Sequence, residues 1–312
     1  MVDADVAAPQ LSLPTIVGPT AAGKSAIAMW LAHRYPLVII SADSRQVYRC
    51  FDVGTAKPTK AEQASVPHRG IDIVQPTERY SAFSWAARAS EWIAEARAGH
   101  RTPIVVGGTG LYVRALFGSS FEEPALSQGH REQVDRFLAA LSVADLRRWC
   151  VALDPARAHL GRTQLLRAIE VALLSGRRLS ELHVTRRRPP RHAARYLVVD
   201  PGRILADRIA TRARSMLQGG WADEVRALDA TVPPDAPAWN STGYRAVRSL
   251  VRGEMGEGEA LERVIIETRQ YAKRQRTWFR HQLPERLVTR VDPAATGWER
   301  TVERWWNAES SE

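Results

Sequence analysis

The strongest constraint on the fold is a glycine-rich segment near the N-terminus, residues 18–25, with the sequence GPTAAGKS. Its spacing fits the phosphate-loop pattern G-x-x-x-x-G-K-[ST]. The β-branched run before it, Thr15 to Val17, is typical of a buried strand, and Ser25 to Ala32 are typical of a helix. A strand, a glycine loop and a helix in this order predict a phosphate-binding site on an α/β sheet.

The chemistry of this segment follows from its expected shape. Glycines let consecutive backbone N–H groups turn towards an anion, and the helix N-terminus adds positive potential. Lys24 supplies a mobile positive charge, and the Ser25 hydroxyl can hold Mg²⁺, which is the predicted cofactor. The loop itself does not distinguish a nucleoside triphosphate from a diphosphate. The candidate diphosphate- or nucleotide-binding residues are Gly18, Pro19, Thr20, Ala21, Ala22, Gly23, Lys24 and Ser25.

Two further apolar runs, Leu37 to Ile40 and Pro103 to Val106, predict central strands. The carboxyl ends of parallel strands face the ligand crevice, so Asp43 lies where a functional carboxylate is expected. Capping a helix N-terminus is the alternative role for this residue. Gly107 to Tyr112 follow the second run, and glycines at a strand exit allow close approach of the backbone to a ligand.

The pattern of predicted strands and helices changes along the sequence and divides the chain into three segments. Residues 11–121 are predicted to form the first part of an α/β core, and residues 122–192 to form a helical insertion. Residues 193–306 return to the core through a strand, Tyr196 to Asp200, and end in basic helices. The predicted fold class is therefore α/β, a phosphate-loop NTPase-like parallel sheet core with a helical insertion domain.

The charge of the chain indicates a polyanionic partner. Lys and Arg total 44 against 34 Asp and Glu, which gives a net charge of +10. Nucleic acid and an anionic membrane surface both fit such a charge. In the predicted helix from Leu261 to Phe279, Arg269, Lys273 and Arg276 follow one line with no acidic residue between them. This stripe favours an anion-facing role over a solubilising one.

Several classes of protein are disfavoured by what the sequence lacks. No apolar run approaches the roughly 20 residues that a membrane span needs, so no membrane partner is expected. Cys50 and Cys150 lie far apart with no C-x-x-C motif, which favours a reducing cytoplasm. No N-K-x-D motif occurs, which disfavours a GTPase. We expect a cytoplasmic monomer without an obligate protein partner.

The combined motifs closely resemble those of bacterial tRNA dimethylallyltransferases, also called tRNA isopentenyltransferases. They are residues 18–25, 41–48, 52–58, 106–112 and 268–280, and the similarity spans most of residues 13–280. The resemblance implies transfer of a dimethylallyl group from dimethylallyl diphosphate to N6 of the adenosine just 3′ of the tRNA anticodon, giving N6-isopentenyladenosine, with help from Mg²⁺. The implied partners are dimethylallyl diphosphate and the anticodon stem-loop of tRNA.

The resemblance also implies roles for three catalytic residues. The phosphate loop would hold the diphosphate as a leaving group, with the Thr20 hydroxyl beside it. Asp43 would act as the general base that takes a proton from N6. Arg212 would contact the diphosphate, and Arg208 is the alternative.

The remaining implied residues contact tRNA, whose target adenine must leave its stack to react. The loop before Thr163 is shorter than is usual in the family, and Arg162 or Arg167 are alternative contacts there. The predicted tRNA-binding residues are Asp43, Ser44, Arg45, Gln46, Thr109, Arg131, Thr163, Gln164, Leu165, Leu166 and Arg167, together with Arg269, Lys273 and Arg276 of the basic stripe.

Two other functions compete with this interpretation. A small-molecule kinase would use the same loop for ATP, and a non-catalytic RNA-binding protein would carry a decayed loop. Thr20, Asp43 and the segment 107–112 favour the transferase over the kinase. The intact Gly23-Lys24-Ser25 sequence argues against decay.

Overall fold

The computed structural model describes residues 12–118, 120–121, 127–185, 187–188, 190 and 192–308. The chain forms two compact units. The first takes residues up to 117 and from 191 onward, and the second takes residues 118–190. The sequence predicts an insertion at 122–192, between two parts of one core.

The first unit is built on a six-stranded sheet with the order β3-β2-β4-β1-β7-β8, in which every described pairing is parallel. A separate two-stranded antiparallel pair, β5 and β6, belongs to the second unit. The strands are β1 (Leu13–Val17), β2 (Leu37–Ser41), β3 (His68–Arg69), β4 (Thr102–Gly107), β5 (Ser120–Phe121), β6 (Arg187–Arg188), β7 (Ala194–Val199) and β8 (Val288–Val291).

Helices cover the sheet of the first unit and make up most of the second. In the first unit they are α1 (Lys24–Ala32), α2 (Lys60–Ser65), α3 (Ala82–Ala98), α4 (Gly110–Phe117), α9 (Leu205–Met216), α10 (Ala222–Thr231), α11 (Tyr244–Val251), α12 (Glu257–Gln282) and α13 (Trp298–Asn307). In the second unit they are α5 (Gln128–Ala139), α6 (Val143–Leu153), α7 (Arg162–Ser175) and α8 (Leu179–Thr185).

The central strands are buried on both faces. Every residue of β1 and β2 is buried, which explains why all but Thr15 and Ser41 of these two strands are apolar. Successive side chains of a strand point to opposite faces, so Ile40 packs with Trp85 and Trp92 of α3, while Ile39 packs with Ile27 of α1. The predicted fold class, a parallel α/β core with a phosphate loop and a helical insertion, is confirmed.

Two stretches of the first unit are interrupted by residues with positive φ. Residues 68–74 form only β3 and an isolated bridge between Tyr48 and Val74, because Gly70 (φ +80°) and Asp72 (φ +55°) turn the backbone out of the extended conformation. The helical stretch from Leu205 to Thr231 breaks between α9 and α10, where Gly220 has φ +94°. These positive φ values favour glycine and end regular structure.

The second unit has its own hydrophobic core. Leu138, Leu146, Leu165 and Ile169, from α5, α6 and α7, are fully buried together with Leu182 of α8. Residues between the helices are tied by a buried carboxylate: Asp154 accepts hydrogen bonds from the backbone N–H and the hydroxyl of Ser180, at 2.9 and 2.6 Å. Buried polar groups need such partners, so Asp154 fixes the start of α8 relative to α6.

Candidate active site

The phosphate loop lies between β1 and α1, where two glycines are needed for different reasons. A Cβ at Gly18 would lie 2.2 Å from the carbonyl oxygen of Val199, at the end of β7, so a larger residue does not fit. Gly23 has φ +103° and leads directly into α1. The loop therefore runs close against β7 and then enters α1 through the left-handed turn at Gly23. The N–H groups at the start of α1 are thereby available to an anion.

Lys24 folds back over this loop. Its Nζ donates to the carbonyl oxygen of Pro19 at 2.7 Å. Burial lowers the pKa of Lys24 to about 8; the negative charge of Asp43 opposes this shift, and the positive charge of Arg212 adds to it. An anion bound at the loop would favour the charged form of this lysine.

Two arginines of α9 approach the loop from the other side. Because Arg208 and Arg212 are four residues apart, they lie on one face of the helix. Arg208 donates to the carbonyl oxygen of Ala22 at 3.0 Å, and Arg212 donates to the hydroxyl of Thr20. Burial lowers the pKa of Arg212, and the charge of Asp43 opposes this shift. Both arginines therefore contact the loop, and Arg212 does so at the predicted catalytic threonine.

Asp43 follows β2 in a tight turn rather than at a helix start, so its alternative role as a helix cap is not realised. Its Oδ1 accepts the backbone N–H of Arg45 at 2.8 Å. The next residue, Ser44, donates its backbone N–H to the hydroxyl of Thr109 at 3.0 Å. Thr109 also shares a hydrogen bond with the phenol of Tyr271, whose pKa burial raises to about 12. Thr109 thus holds the turn that presents Asp43.

Two cavities meet at these residues. The first has a volume of about 790 Å³ and is lined by Lys24, Ser25 and Met29, among others. The second has a volume of about 50 Å³, and its lining includes Arg45, Met216, Trp221 and Tyr271. The residues that line both cavities are Thr20, Asp43, Thr55 and Arg212. All three predicted catalytic residues therefore lie in the wall common to the two cavities.

The glycines at the end of β4 and in the following loop admit protein groups, and the close approach of a ligand to this segment stays a prediction. A Cβ at Gly107 would lie 2.2 Å from the carbonyl oxygen of Ala42. A Cβ at Gly108 would lie 2.3 Å from Nε2 of Gln275, and one at Gly110 would lie 2.3 Å from the ring of Trp278. Glycine is therefore required at these three positions, because Ala42, which follows β2, and two side chains of α12 pack directly against the backbone there.

Gln46 lines the first cavity, but its amide is occupied by the protein. Its Oε1 accepts from the Ser41 hydroxyl at 2.8 Å, and its Nε2 donates to the carbonyl oxygens of Thr55 and Ala56 at 3.3 and 3.0 Å. Lys57, in the motif at residues 52–58, also lines the first cavity and is paired with carboxylates of the protein. Its side chain is 3% exposed and its Nζ lies 2.6 Å from carboxylate oxygens of both Asp52 and Asp72.

In the second unit, the predicted tRNA-binding residues fall into three groups. Arg131 and Arg167 both pair with Glu170, at 2.7 and 2.5 Å. Leu165 is fully buried in the core of the unit, so its backbone alone remains for an RNA contact, and Leu166 packs against that core. Thr163 and Gln164 are exposed in the first turn of α7, where Gln164 accepts the backbone N–H of Gly161.

The three residues of the predicted basic stripe on α12 differ in their contacts. Arg269 and Lys273 are exposed. Arg276 instead pairs with Asp200, at the end of β7, and donates to the carbonyl oxygen of Gly202 at 2.6 Å. The acidic partner comes from a distant part of the chain, so the helix sequence gives no sign of it.

Sequence reasoning missed Gln275 as a site residue. The helical periodicity places it on the arc of α12 that is otherwise formed largely by apolar and aromatic residues, and this is the signal that points to it. An amide on a buried face requires buried hydrogen-bond partners. The structure supplies them in the phosphate loop and in the loop after β4.

Among the described residues, no group of three or more His, Cys, Asp or Glu side chains could hold a metal ion. The exposed hydroxyl of Ser25 lines the first cavity at the start of α1, and this fits Mg²⁺, which commonly takes one or two protein ligands and completes its shell with phosphate oxygens and water. No helix in the described ranges is long and apolar enough to cross a membrane.

Comparison with protein families gives two matches. The model described as IPP transferase matches residues 46–282, and the model described as isopentenyl transferase matches residues 11–70. A tRNA dimethylallyltransferase of Anaeromyxobacter sp. (strain K) is 42% identical over 278 residues, covering 87% of this chain and 91% of the relative. The tRNA dimethylallyltransferase of Thermosynechococcus vestitus is 40% identical over 275 residues, covering 86% of each.

Solved structures agree with these matches. The full-length tRNA isopentenylpyrophosphate transferase of Bacillus halodurans is similar with a TM-score of 0.67 and 30% identity, covering 96% of each chain. A eukaryotic dimethylallyltransferase acting on tRNA is similar with a TM-score of 0.81 at 23% identity, covering 95% of this chain and 78% of the other. The second likeness concerns the fold alone.

Proposed function

Because this chain belongs to the IPP transferase family, we propose that it is a tRNA dimethylallyltransferase. It transfers the dimethylallyl group of dimethylallyl diphosphate to N6 of the adenosine that follows the tRNA anticodon on its 3′ side. The product is N6-isopentenyladenosine, and diphosphate leaves. The names of the relatives do not favour the competing kinase.

The observation that carries the proposal is the wall common to the two cavities. Thr20 belongs to the phosphate loop, Arg212 contacts it, and Asp43 lines both cavities. A diphosphate held on the loop would fill the anion site of the first cavity. The amino edge of an extruded adenine would meet Asp43 at the wall common to the two cavities. Donor and acceptor would then meet at this carboxylate.

The reaction breaks the bond between the allylic carbon and the diphosphate oxygen and forms a bond from that carbon to N6. Lys24, Arg212 and the loop N–H groups stabilise the negative charge that develops on the leaving diphosphate. Mg²⁺ on Ser25, when bound, would neutralise part of that charge. The N6 lone pair is delocalised into the ring, so Asp43 is needed to accept the N6 proton as the new bond forms.

The tRNA contacts in this proposal rest on exposed groups. Arg269 and Lys273 of α12 and the first turn of α7, with Thr163 and Gln164, are available to phosphates. Gln46, Thr109 and Arg276 support the site through contacts within the protein, as their hydrogen bonds indicate. We further propose that the enzyme acts in the cytoplasm, because its two cysteines are distant and unpaired. A monomeric state is a separate part of this proposal.

The test is transfer of labelled dimethylallyl diphosphate to unmodified tRNA in the presence of Mg²⁺ and without ATP. Mass spectrometry of the digested tRNA should detect N6-isopentenyladenosine. A tRNA with guanosine in place of the target adenosine is the matched control and should take up no label. Absence of label in the adenosine tRNA, together with phosphate transfer from ATP to a small molecule, would favour the kinase.

A further inference from the structure

The amide of Gln275 connects two segments of the site. The residue lies on α12 and is 6% exposed. Its Oε1 accepts the backbone N–H of Thr20 at 2.7 Å, and its Nε2 donates to the carbonyl oxygen of Gly108 at 2.8 Å. Thr20 belongs to the loop after β1, and Gly108 belongs to the loop after β4. One side chain therefore spans the exits of two adjacent strands.

Each connected segment carries a group of the proposed reaction. The Thr20 hydroxyl accepts from Arg212 beside the diphosphate site. Thr109, which follows Gly108, accepts the backbone N–H of Ser44 and so holds the turn of Asp43. The amide of Gln275 thus lies between the phosphate loop, which would hold the leaving group, and the loop after β4, which holds the turn of the general base Asp43. The length of the Gln275 side chain fixes the distance between these two loops.

The amide matches these two partners chemically. A backbone N–H requires an acceptor and a carbonyl oxygen requires a donor, and an amide supplies both from one planar group. A carboxylate supplies acceptors alone, and a thioether supplies little of either. A Cβ at Gly108 would lie 2.3 Å from Nε2, so the contact also requires glycine at that position. Leaving either backbone group buried and unpaired would be costly.

We propose that Gln275 is a positioning residue that sets the phosphate loop relative to the Asp43 turn. This rests on the proposed function. Gln275 acts through the backbone of Thr20 and Gly108, and the bonds made and broken in the reaction stay the same. Its loss lowers kcat more than it weakens diphosphate binding, because a misplacement of about 1 Å can reduce rate by on the order of 10²-fold.

The test compares Gln275→Met, Gln275→Glu and the control Gln270→Met with the wild-type protein. Gln270 lies exposed on the same helix, so its replacement should leave kcat unchanged. Kinetics are measured with unmodified tRNA and dimethylallyl diphosphate, and inorganic pyrophosphate binding is measured by calorimetry. We expect Gln275→Met to lower kcat by roughly 10- to 100-fold while the pyrophosphate Kd changes by less than about threefold.

Gln275→Glu adds a readout that a general loss of packing would not give. Its carboxylate cannot donate to the Gly108 carbonyl, but its protonated form can. The kcat of this variant, divided by that of wild type, should therefore rise as the pH is lowered from about 8 to about 6. Division by the wild-type value at each pH removes the effect of groups that the two proteins share.

Three results would overturn the proposal. The first is a wild-type kcat in a folded Gln275→Met variant. The second is a pyrophosphate Kd that rises as much as kcat falls, which would indicate a binding role. The third, decisive if Gln275→Met does not fold, is a pH-independent ratio for Gln275→Glu. No transfer by the wild-type protein would instead refute the proposed function, and this proposal with it.

Discussion

The surroundings of Lys24 disfavour the charged form of its side chain. Burial lowers the pKa of its side chain to about 8, so much of it is neutral above that pH when no anion is bound. Its usual value is 10.5, and the difference reflects the cost of keeping a charge away from water. A bound diphosphate supplies the opposite charge and raises the pKa again. Binding therefore takes up a proton at alkaline pH.

We predict that pyrophosphate affinity falls as pH rises above about 8, after correction for the titration of pyrophosphate itself. Calorimetry in buffers of different ionisation enthalpy measures the proton uptake. Lys24→Arg is the matched control, because a guanidinium stays charged and should bind without this uptake. Equal proton uptake by the two proteins at about pH 9 would contradict the prediction.

Asp43 supports a second residue-level prediction. Asp43→Asn should lower kcat by roughly 10²- to 10⁴-fold, the usual scale for a general base, and leave tRNA affinity nearly unchanged. The charge of Asp43 also holds the pKa of Lys24 up, so the variant should lose pyrophosphate affinity at a lower pH than wild type does. Single-turnover transfer and pyrophosphate titrations measure these effects. An unchanged single-turnover rate would remove Asp43 from the base role.

Sequence reasoning succeeded where the chemistry is local in the chain. The phosphate loop and Asp43 are predictable because a motif and a strand end define them. The hydrogen bond from Thr20 to Gln275 joins residues 255 positions apart, and no local pattern encodes such a distance. The role of Thr109 is also not visible in the sequence, because its partner is the backbone N–H of Ser44, which follows another strand. Gln46 bonds to the carbonyl oxygens of Thr55 and Ala56, which the following turns bring back to it.

At the scale of elements, α12 performs different tasks on different faces. Gln275 and Tyr271 face the site, and Arg269 and Lys273 face solvent. Arg276 is tied to Asp200, so the predicted stripe of like charges is partly neutralised by the fold. The periodicity of the helix correctly separates buried from exposed positions, but it gives no information on partners from other elements.

We predict that replacing both Arg269 and Lys273 with Gln weakens tRNA binding and reduces its salt dependence. The slope of log K against log[salt] should fall by about one to two units, since each lost phosphate contact contributes about 0.7–0.9. Arg276→Gln is the matched comparison. It should lower the melting temperature through loss of the Asp200 contact while changing the slope less. A wild-type slope in the double variant would show that this face does not meet RNA.

Glu170 of α7 gives a prediction about the second unit. Burial alone would raise the pKa of its carboxyl, but hydrogen bonds from Arg131 and Arg167 outweigh burial and lower it. The carboxylate therefore stabilises the fold above its ordinary pKa of 4.5, and this contribution is lost as the pH falls through the lower folded value.

Glu170→Gln should destabilise the protein at neutral pH by about 1–3 kcal/mol, less than for a fully buried pair because Arg131 reaches solvent. Chemical denaturation at pH 7 and at about pH 4 measures the difference from wild type, which should shrink at the lower pH. Glu181→Gln, which removes an exposed pair with Arg178, is the control and should have little effect. A constant difference at both values of pH would contradict the assignment.

At the scale of the whole molecule, the sheet order explains what the sequence could and could not predict. The central strands β1 and β2 are largely apolar, and the sequence identifies them. The edge strand β8 has only two apolar residues, Val288 and Val291, so its sequence resembles a loop. The sequence predicts basic helices in this part of the chain and gives no sign of the strand. Its place beside β7 is a property of the assembled sheet.

Because of the same sheet order, the phosphate loop depends on contacts with segments that are translated much later. The phosphate loop is translated well before β7 and α12, yet Gly18 lies against Val199 and Thr20 is held by Gln275. A growing chain therefore contains the diphosphate-binding motif before the groups that shape it have been translated. A nascent chain truncated before α12 lacks Gln275, so the phosphate loop can reach its final position only after α12 has been translated.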